Sequence, residues 1–410
     1  MSARLSVLFF ASVALLALHV LDDGVFQPEP GTGAGDHVLY VGVFLAFLAA
    51  AAFVYPRARP GARAALAALL AVVALTYAAV AVGEARGQGL AGHDYTGLLL
   101  LPAGVALLAV AVMTLWSARR TDGSRKRRYL RRAAIAVAAL VLALMIAMPT
   151  ALAIAFTHRP RTEVRPANLG RPYQEVTLRT EDGLDLAAWY VPSKNGAAVI
   201  VFPGRGSRVP QARLLVRAGY GVLMLDMRGQ GESEGNSNVL GWESQKDLHA
   251  AIDFLQQRPD VEKGRIGGIG FSVGGEQMIQ AAAENDALRA VVSEGAGERS
   301  RREGVLQGSS GWLALPTLAV QDLVMTVITG GSAPPSLKDL SAKIAPRPLF
   351  LIFATHGQGG ENLNPKYFET AGTPKQLWEI TSAGHTGGFN AEREKYSRRV
   401  LRFFEEALLG

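Results

Sequence analysis

The reading turns on Ile266-Gly267-Gly268-Ile269-Gly270-Phe271-Ser272-Val273-Gly274-Gly275. An apolar run, Ile266–Phe271, ends at a serine with a glycine two residues away on each side, and residues from Val273 to Glu284 follow with helical spacing. Gly-x-Ser-x-Gly between a strand and a helix specifies a sharp turn that exposes the serine oxygen, because glycines leave room for so tight a bend. A second match, Gly231-Glu232-Ser233-Glu234-Gly235, has no apolar strand directly before it and Asn236-Ser237-Asn238 after it. Context therefore assigns Ser272 as a nucleophile and Ser233 as a loop residue.

Outward from this elbow, short apolar runs alternate with helical stretches. Strands are expected at Ala197–Phe202, Val222–Asp226, Ile266–Phe271, Ala290–Glu294, Pro348–Phe353 and Gln376–Ile380. Helices are expected at about Gln211–Ala218, Trp242–Gln257, Val273–Glu284, Pro365–Ala371 and Ala391–Leu409. That alternation implies a parallel sheet covered on both faces. Ahead of it, Tyr173–Arg179 and Leu184–Val191 alternate around Glu181-Asp182-Gly183, a hairpin signal.

Three loops at strand ends complete a chemistry. Pro203-Gly204-Arg205-Gly206-Ser207 follows a strand, where an elbow scaffold places one oxyanion-binding N–H, here that of Arg205; the second comes from Val273, the residue after the nucleophile. A phosphate-binding reading fails, since no Lys-Ser/Thr follows the glycines. Gly384-His385-Thr386-Gly387-Gly388 follows the last strand, where the base belongs in the order Ser, acid, His. The acid belongs after Pro348–Phe353, and the loop Ala354–Glu361 holds one carboxylate, Glu361. Glu294, ending the preceding strand, is the alternative acid.

These marks, with Asp226-Met227-Arg228-Gly229-Gln230-Gly231-Glu232-Ser233 and Ser382-Ala383-Gly384-His385, resemble the α/β-hydrolase superfamily over about residues 172–410. The likeness is nearest to esterase-like and dienelactone-hydrolase-like members. It implies Ser272 as nucleophile, His385 as base and an acid after the penultimate core strand. Two departures stand out: Pro203-Gly204 replaces the usual His-Gly of the oxyanion loop, and Gly-x-x-x-Glu at Gly357–Glu361 replaces Gly-x-x-Asp. The segment 298–346 lies where such folds insert a lid; Gly311–Leu315 and Leu318–Thr329 are apolar, suited to lining an acyl pocket or packing a cap helix.

The first 156 residues read differently. Apolar runs at Leu5–Leu21, Val38–Tyr55, Ala64–Val82, Leu98–Trp116 and Ala133–Phe156 contain no Asp, Glu, Lys or Arg, and each is about long enough for a ~30 Å hydrocarbon core. A five-helix all-α transmembrane region is expected, joined by a linker, 157–171, to the hydrolase domain. No small-residue cleavage site follows the first run, so it is read as a retained helix rather than a signal peptide. Residues 1–158 hold 13 Lys+Arg against 7 Asp+Glu, and the remainder 29 against 28. The excess positive charge thus belongs to the membrane part, which argues against a nucleic-acid partner. Arg-rich gaps at 56–63 and 117–132 alternate with gaps poor in Lys and Arg, so the positive-inside rule puts the N-terminus in the cytoplasm and everything after Phe156 outside. His19, near the end of its run, reads as an interfacial residue.

The chain has no cysteine, which excludes disulfides, thiolate nucleophiles and iron–sulfur clusters. The expected function is a multi-pass membrane-anchored serine hydrolase cleaving small-molecule or lipid-like esters through an acyl-enzyme, with no metal or organic cofactor needed. An amide or peptide hydrolase, aminopeptidase-like, would use the same parts. A catalytically silent membrane sensor or scaffold is the contrasting class.

Overall fold

The computed structural model describes residues 2–27, 34–35, 37–88, 94–118, 130–131, 134–135, 138, 141, 143–158, 161, 168–204, 208–236, 238–306, 309–357 and 359–410. They form two units: Met1–Pro160 with Pro316–Gly331, and Arg161–Leu315 with Ser332–Gly410.

The first unit is built on helices Ser2–Leu21, Val38–Val54, Pro60–Gln88 and Asp94–Ser117. The apolar stretch of each is long enough to cross a membrane. Phe9, Leu16, Leu48, Leu70, Tyr77 and Leu107 fill a common core, while Phe53, Val105 and Val112 point outward, more than half exposed. Polar groups that turn inward find one another, as an apolar surround demands. The Tyr40 and Tyr77 hydroxyls lie 2.7 Å apart. The Thr96 hydroxyl donates to Asp22 at 2.7 Å and sits 3.0 Å from His19 Nδ1. His19, near the end of its helix, is thus packed among the bundle helices. The fifth expected run, 133–156, falls partly outside the described residues; its end forms the shorter helix Met148–Thr157, with Ile154 in the bundle core.

The second unit carries an eight-stranded sheet: β1 Gln174–Arg179, β2 Asp185–Val191, β3 Ala198–Phe202, β4 Gly221–Leu225, β5 Ile266–Phe271, β6 Leu288–Glu294, β7 Leu349–His356 and β8 Lys375–Gly384, in the order β1-β2-β4-β3-β5-β6-β7-β8. β2 pairs antiparallel with both β1 and β4, and the remaining pairings are parallel. The parallel core is the one the alternating pattern implies, and the whole is the α/β-hydrolase architecture that the motifs resemble. β3 shows why both faces close: Ala198, Ile200 and Phe202 enter one apolar layer, Val199 and Val201 the other, since successive strand side chains alternate. The glycines of β5 let helices press on both faces. A Cβ at Gly268 would come within 2.2 Å of Met278 on helix Val273–Glu284, and one at Gly267 within 2.8 Å of Phe404 on helix Arg393–Leu408.

The segment expected to form a lid divides between the units. Helices Arg301–Leu306 and Leu337–Ser341 stay with the sheet unit. Between them runs helix Ser309–Thr329, which from Pro316 onward groups with the apolar bundle and buries Ile328 in its core.

Candidate active site

Ser272 sits between β5 and helix Val273–Glu284 with φ 55° and ψ −126°. A non-glycine residue held there costs about 1–3 kcal/mol and persists only where its surroundings fix it. Here they do. The Ser272 N–H donates to the Glu294 carbonyl at 2.8 Å, and its own carbonyl accepts from Gly275 at 2.8 Å and Glu276 at 3.1 Å. The flanking glycines are steric necessities: a Cβ at Gly270 would lie 2.2 Å from the Gly274 carbonyl, and one at Gly274 2.6 Å from that of Pro203. A Cβ at Gly204 would likewise meet the Phe271 carbonyl at 2.3 Å, so the Pro203-Gly204 loop runs directly against the elbow. Val273 opens the helix beside Ser272, and Arg205 lies outside the described residues.

The structure brings Ser272, His385 and Glu361 together across three strand ends. His385 Nε2 lies 2.8 Å from Ser272 Oγ, and its Nδ1 hydrogen-bonds Glu361 Oε1. A carboxylate can only accept, so Nδ1 carries the proton and the Nε2 lone pair faces the serine hydroxyl. The other oxygen, Oε2, accepts from the Ala354 N–H at 2.9 Å. Glu361 is 1% exposed, and Gly357 makes that possible: a Cβ there would fall 2.4 Å from Glu361 Cδ. The Gly-x-x-x-Glu departure thus accommodates a longer side chain in a loop with one more residue.

Glu294 takes different partners. Its Oε1 accepts from the Gly388 N–H at 2.9 Å and its Oε2 from the Tyr396 hydroxyl at 2.6 Å. It is the sequence-proposed alternative acid, yet the structure uses it to tie the histidine loop to β6 and to helix Arg393–Leu408. Burial raises its carboxyl above the usual range, against the pull of those two hydrogen bonds. Arg208, just past the oxyanion loop, adds a second tie by donating to Thr386 Oγ1 at 3.0 Å, with its guanidinium 4.5 Å from the centre of the Phe271 ring. Ser233 is fully buried; its hydroxyl donates to the Asp226 carbonyl at 2.7 Å and accepts from Ala187 at 3.0 Å. The second Gly-x-Ser-x-Gly match is thus a structural turn.

Sequence reasoning missed two supports. Asn364, fully buried, donates through Nδ2 to the Glu361 carbonyl at 2.9 Å and the Ala296 carbonyl at 2.7 Å, holding the acid's backbone against the loop after β6. An Asn just before Pro365 at a helix start was a visible hint, since such residues serve turns and caps. Glu276 accepts from the Gly297 N–H at 3.2 Å in that same loop, and burial pushes its carboxyl up to about 7 despite Arg299 nearby. Nothing in its spacing set it apart from an exposed helical Glu.

Known proteins place this arrangement. The family model for X-Pro dipeptidyl-peptidase (S15 family) matches residues 109–347, a segment that holds Ser272 and ends before Glu361 and His385. The Arabidopsis thaliana protein WAV2, an α/β-hydrolase domain-containing protein, is 32% identical over 120 residues, 27% of this chain and 38% of WAV2. YfhR of Escherichia coli K12 is 24% identical over 254 residues, 57% of this chain and 81% of YfhR. The solved structure of the Pyrococcus furiosus esterase Pf2001 is 25% identical, covers 61% of this chain and 99% of that one, and superposes with a TM-score of 0.50. With more than half its length matched by the family model and a nucleophile elbow set in an α/β-hydrolase sheet, the chain belongs to the X-Pro dipeptidyl-peptidase (S15) family of serine hydrolases.

Proposed function

We propose that this protein is a membrane-anchored serine hydrolase that cleaves carboxylic esters through an acyl-enzyme formed on Ser272. The observation that carries the reading is the unbroken relay from Glu361 through His385 to Ser272 Oγ. Ser272 Oγ attacks the carbonyl carbon as its proton passes to His385 Nε2. Backbone N–H groups of Val273 and Arg205 hold the developing oxyanion. The imidazolium, oriented and supported by buried Glu361, protonates the departing alkoxide, leaving an acyl group on Ser272. Water then enters, gives its proton to His385, and the acid product leaves as Ser272 recovers its hydrogen. Residues 172–410 supply this chemistry, 157–171 link it to the bundle, and the first 156 residues anchor it in the bilayer.

The esterase named for the Pyrococcus furiosus structure favours esters, and the family description favours peptides. Cleavage of a peptide next to proline is therefore the second reading, on the same triad. The full-length protein in liposomes, given p-nitrophenyl esters and X-Pro p-nitroanilides side by side, decides between them: the ester reading expects the larger kcat/KM on the esters, and the reverse ranking overturns it. The alternating charge of the gaps supports a cytoplasmic N-terminus and an extracytoplasmic hydrolase domain. A phosphatase fused after Gly410 should then be active, and an inactive fusion overturns that topology.

A further inference from the structure

We propose that Pro316–Thr329, the later part of helix Ser309–Thr329, is a lipid-seated element, so that the hydrolase unit is held to the bilayer through its own insertion as well as through its N-terminal connection. The proposal rests on the membrane reading of the N-terminal helices and goes beyond it, because this helix lies within the hydrolase part of the chain.

Three observations carry it. First, Leu315–Thr329 is an apolar helix with Asp322 as its one ionisable residue. Second, Pro316–Gly331 groups with Met1–Pro160, although the chain on both sides of it belongs to the sheet unit. Ile328 is buried in the core that holds Phe44, Leu70 and Tyr77, and Val324, one turn earlier on the same face, packs against that core. Third, Leu323 projects outward at 65% exposure. Among the described residues every other large exposed hydrophobic side chain precedes Ala153, with the single exception of Val305. Leu323 thus continues the outward apolar surface of the bundle, whose chemistry fits acyl chains and not water.

Length decides between crossing and seating. Pro316–Thr329 is about 21 Å long at ~1.5 Å per residue, short of a ~30 Å hydrocarbon core. Both of its flanks belong to the sheet unit, so the stretch is seated in the lipid rather than carried across it.

The absence of cysteine makes the test direct. Leu323→Cys, Val112→Cys and Glu394→Cys in the full chain are spin-labelled in phosphatidylcholine liposomes, and relaxation by oxygen is compared with relaxation by a water-soluble nickel complex. Val112 is an outward residue of the bundle and Glu394 an exposed residue of the sheet unit. The expected result is an oxygen-to-nickel ratio at Leu323 similar to that at Val112 and severalfold above that at Glu394. A ratio at Leu323 equal to that at Glu394, with Val112 still oxygen-favoured, overturns the proposal alone. Nickel-favoured relaxation at Val112 as well overturns the membrane reading beneath it. Should Leu323→Cys not give a monodisperse, helical protein, Val327→Cys, one turn after Leu323 on the same face, reads the same quantity.

Discussion

The two units bury apolar surface by opposite rules. In the sheet unit, strand residues alternate between two dry layers and the glycines of β5 bring helices down onto both faces. Water is the solvent it hides from. In the bundle unit, small and aromatic residues fill the space between helices while Val, Leu and Phe side chains stay on the outside. A surface of that kind suits lipid better than water, in line with four helices apolar and long enough to cross a membrane. The difference teaches how polar side chains are gathered: in the sheet unit three strand ends bring Ser272, His385 and Glu361 together, whereas His19, Thr96 and Asp22 of the bundle meet among packed helices.

The sharpest way to break this comparison is to remove the nucleophile. Ser272→Ala should lower turnover by about 10⁵–10⁶-fold, as loss of a triad nucleophile does, while Ser233→Ala should keep its activity and lose about 1–3 kcal/mol of stability, because two buried hydrogen-bonding groups lose their partner. Activity assays and thermal melts on both variants check it; an inactive but stable Ser233→Ala would reverse the assignment. Next in size is the acid. Glu361→Gln should cost roughly 10⁴-fold in kcat, the scale expected when the imidazole loses its orienting carboxylate. Glu294→Gln should stay within about tenfold, at most about 1.4 kcal/mol of barrier, since its partners are Gly388 and Tyr396. Reversed kinetics for that pair would move the acid to β6.

These results would test a site only partly legible in the sequence. The strands, the elbow and the histidine turn were readable because glycine and apolar runs report local backbone demands directly. Glu361 was readable only as the one carboxylate of its loop; what makes it fit, Gly357 beneath it and Asn364 behind it, is tertiary. The allegiance of helix Ser309–Thr329 was not legible at all, since an apolar helix reads alike whether it caps a pocket or joins a bundle. The burial of His19 was hidden for a related reason: Thr96 and Asp22 meet it only after the helices pack.

The comparison itself is sharpened by one chemical change made in both regions. Leu351→Ala, at a fully buried position of β7, should cost about 2–5 kcal/mol. Leu101→Ala, 49% exposed on the bundle, should stay within about 0.5 kcal/mol. Thermal melts of the liposome-bound protein compare them, and equal losses would mean the bundle is packed as a water-facing domain is. The smallest effect concerns pH. Burial holds the Glu276 carboxyl at about 7, above its ordinary value of about 4.5. Between those values the folded state binds the proton and the unfolded state has released it, so stability should fall as pH rises through that window. Glu276→Gln should flatten that slope in melts taken from pH 4.5 to 7, and an unchanged slope would remove Glu276 as its source.

The most direct test of the central claim is to treat the liposome-embedded protein with a fluorophosphonate and map the adduct by peptide mass spectrometry. The account predicts a single phosphonylated serine at Ser272, lost in His385→Ala. An adduct on Ser233, or no adduct in an intact and folded protein, would contradict it.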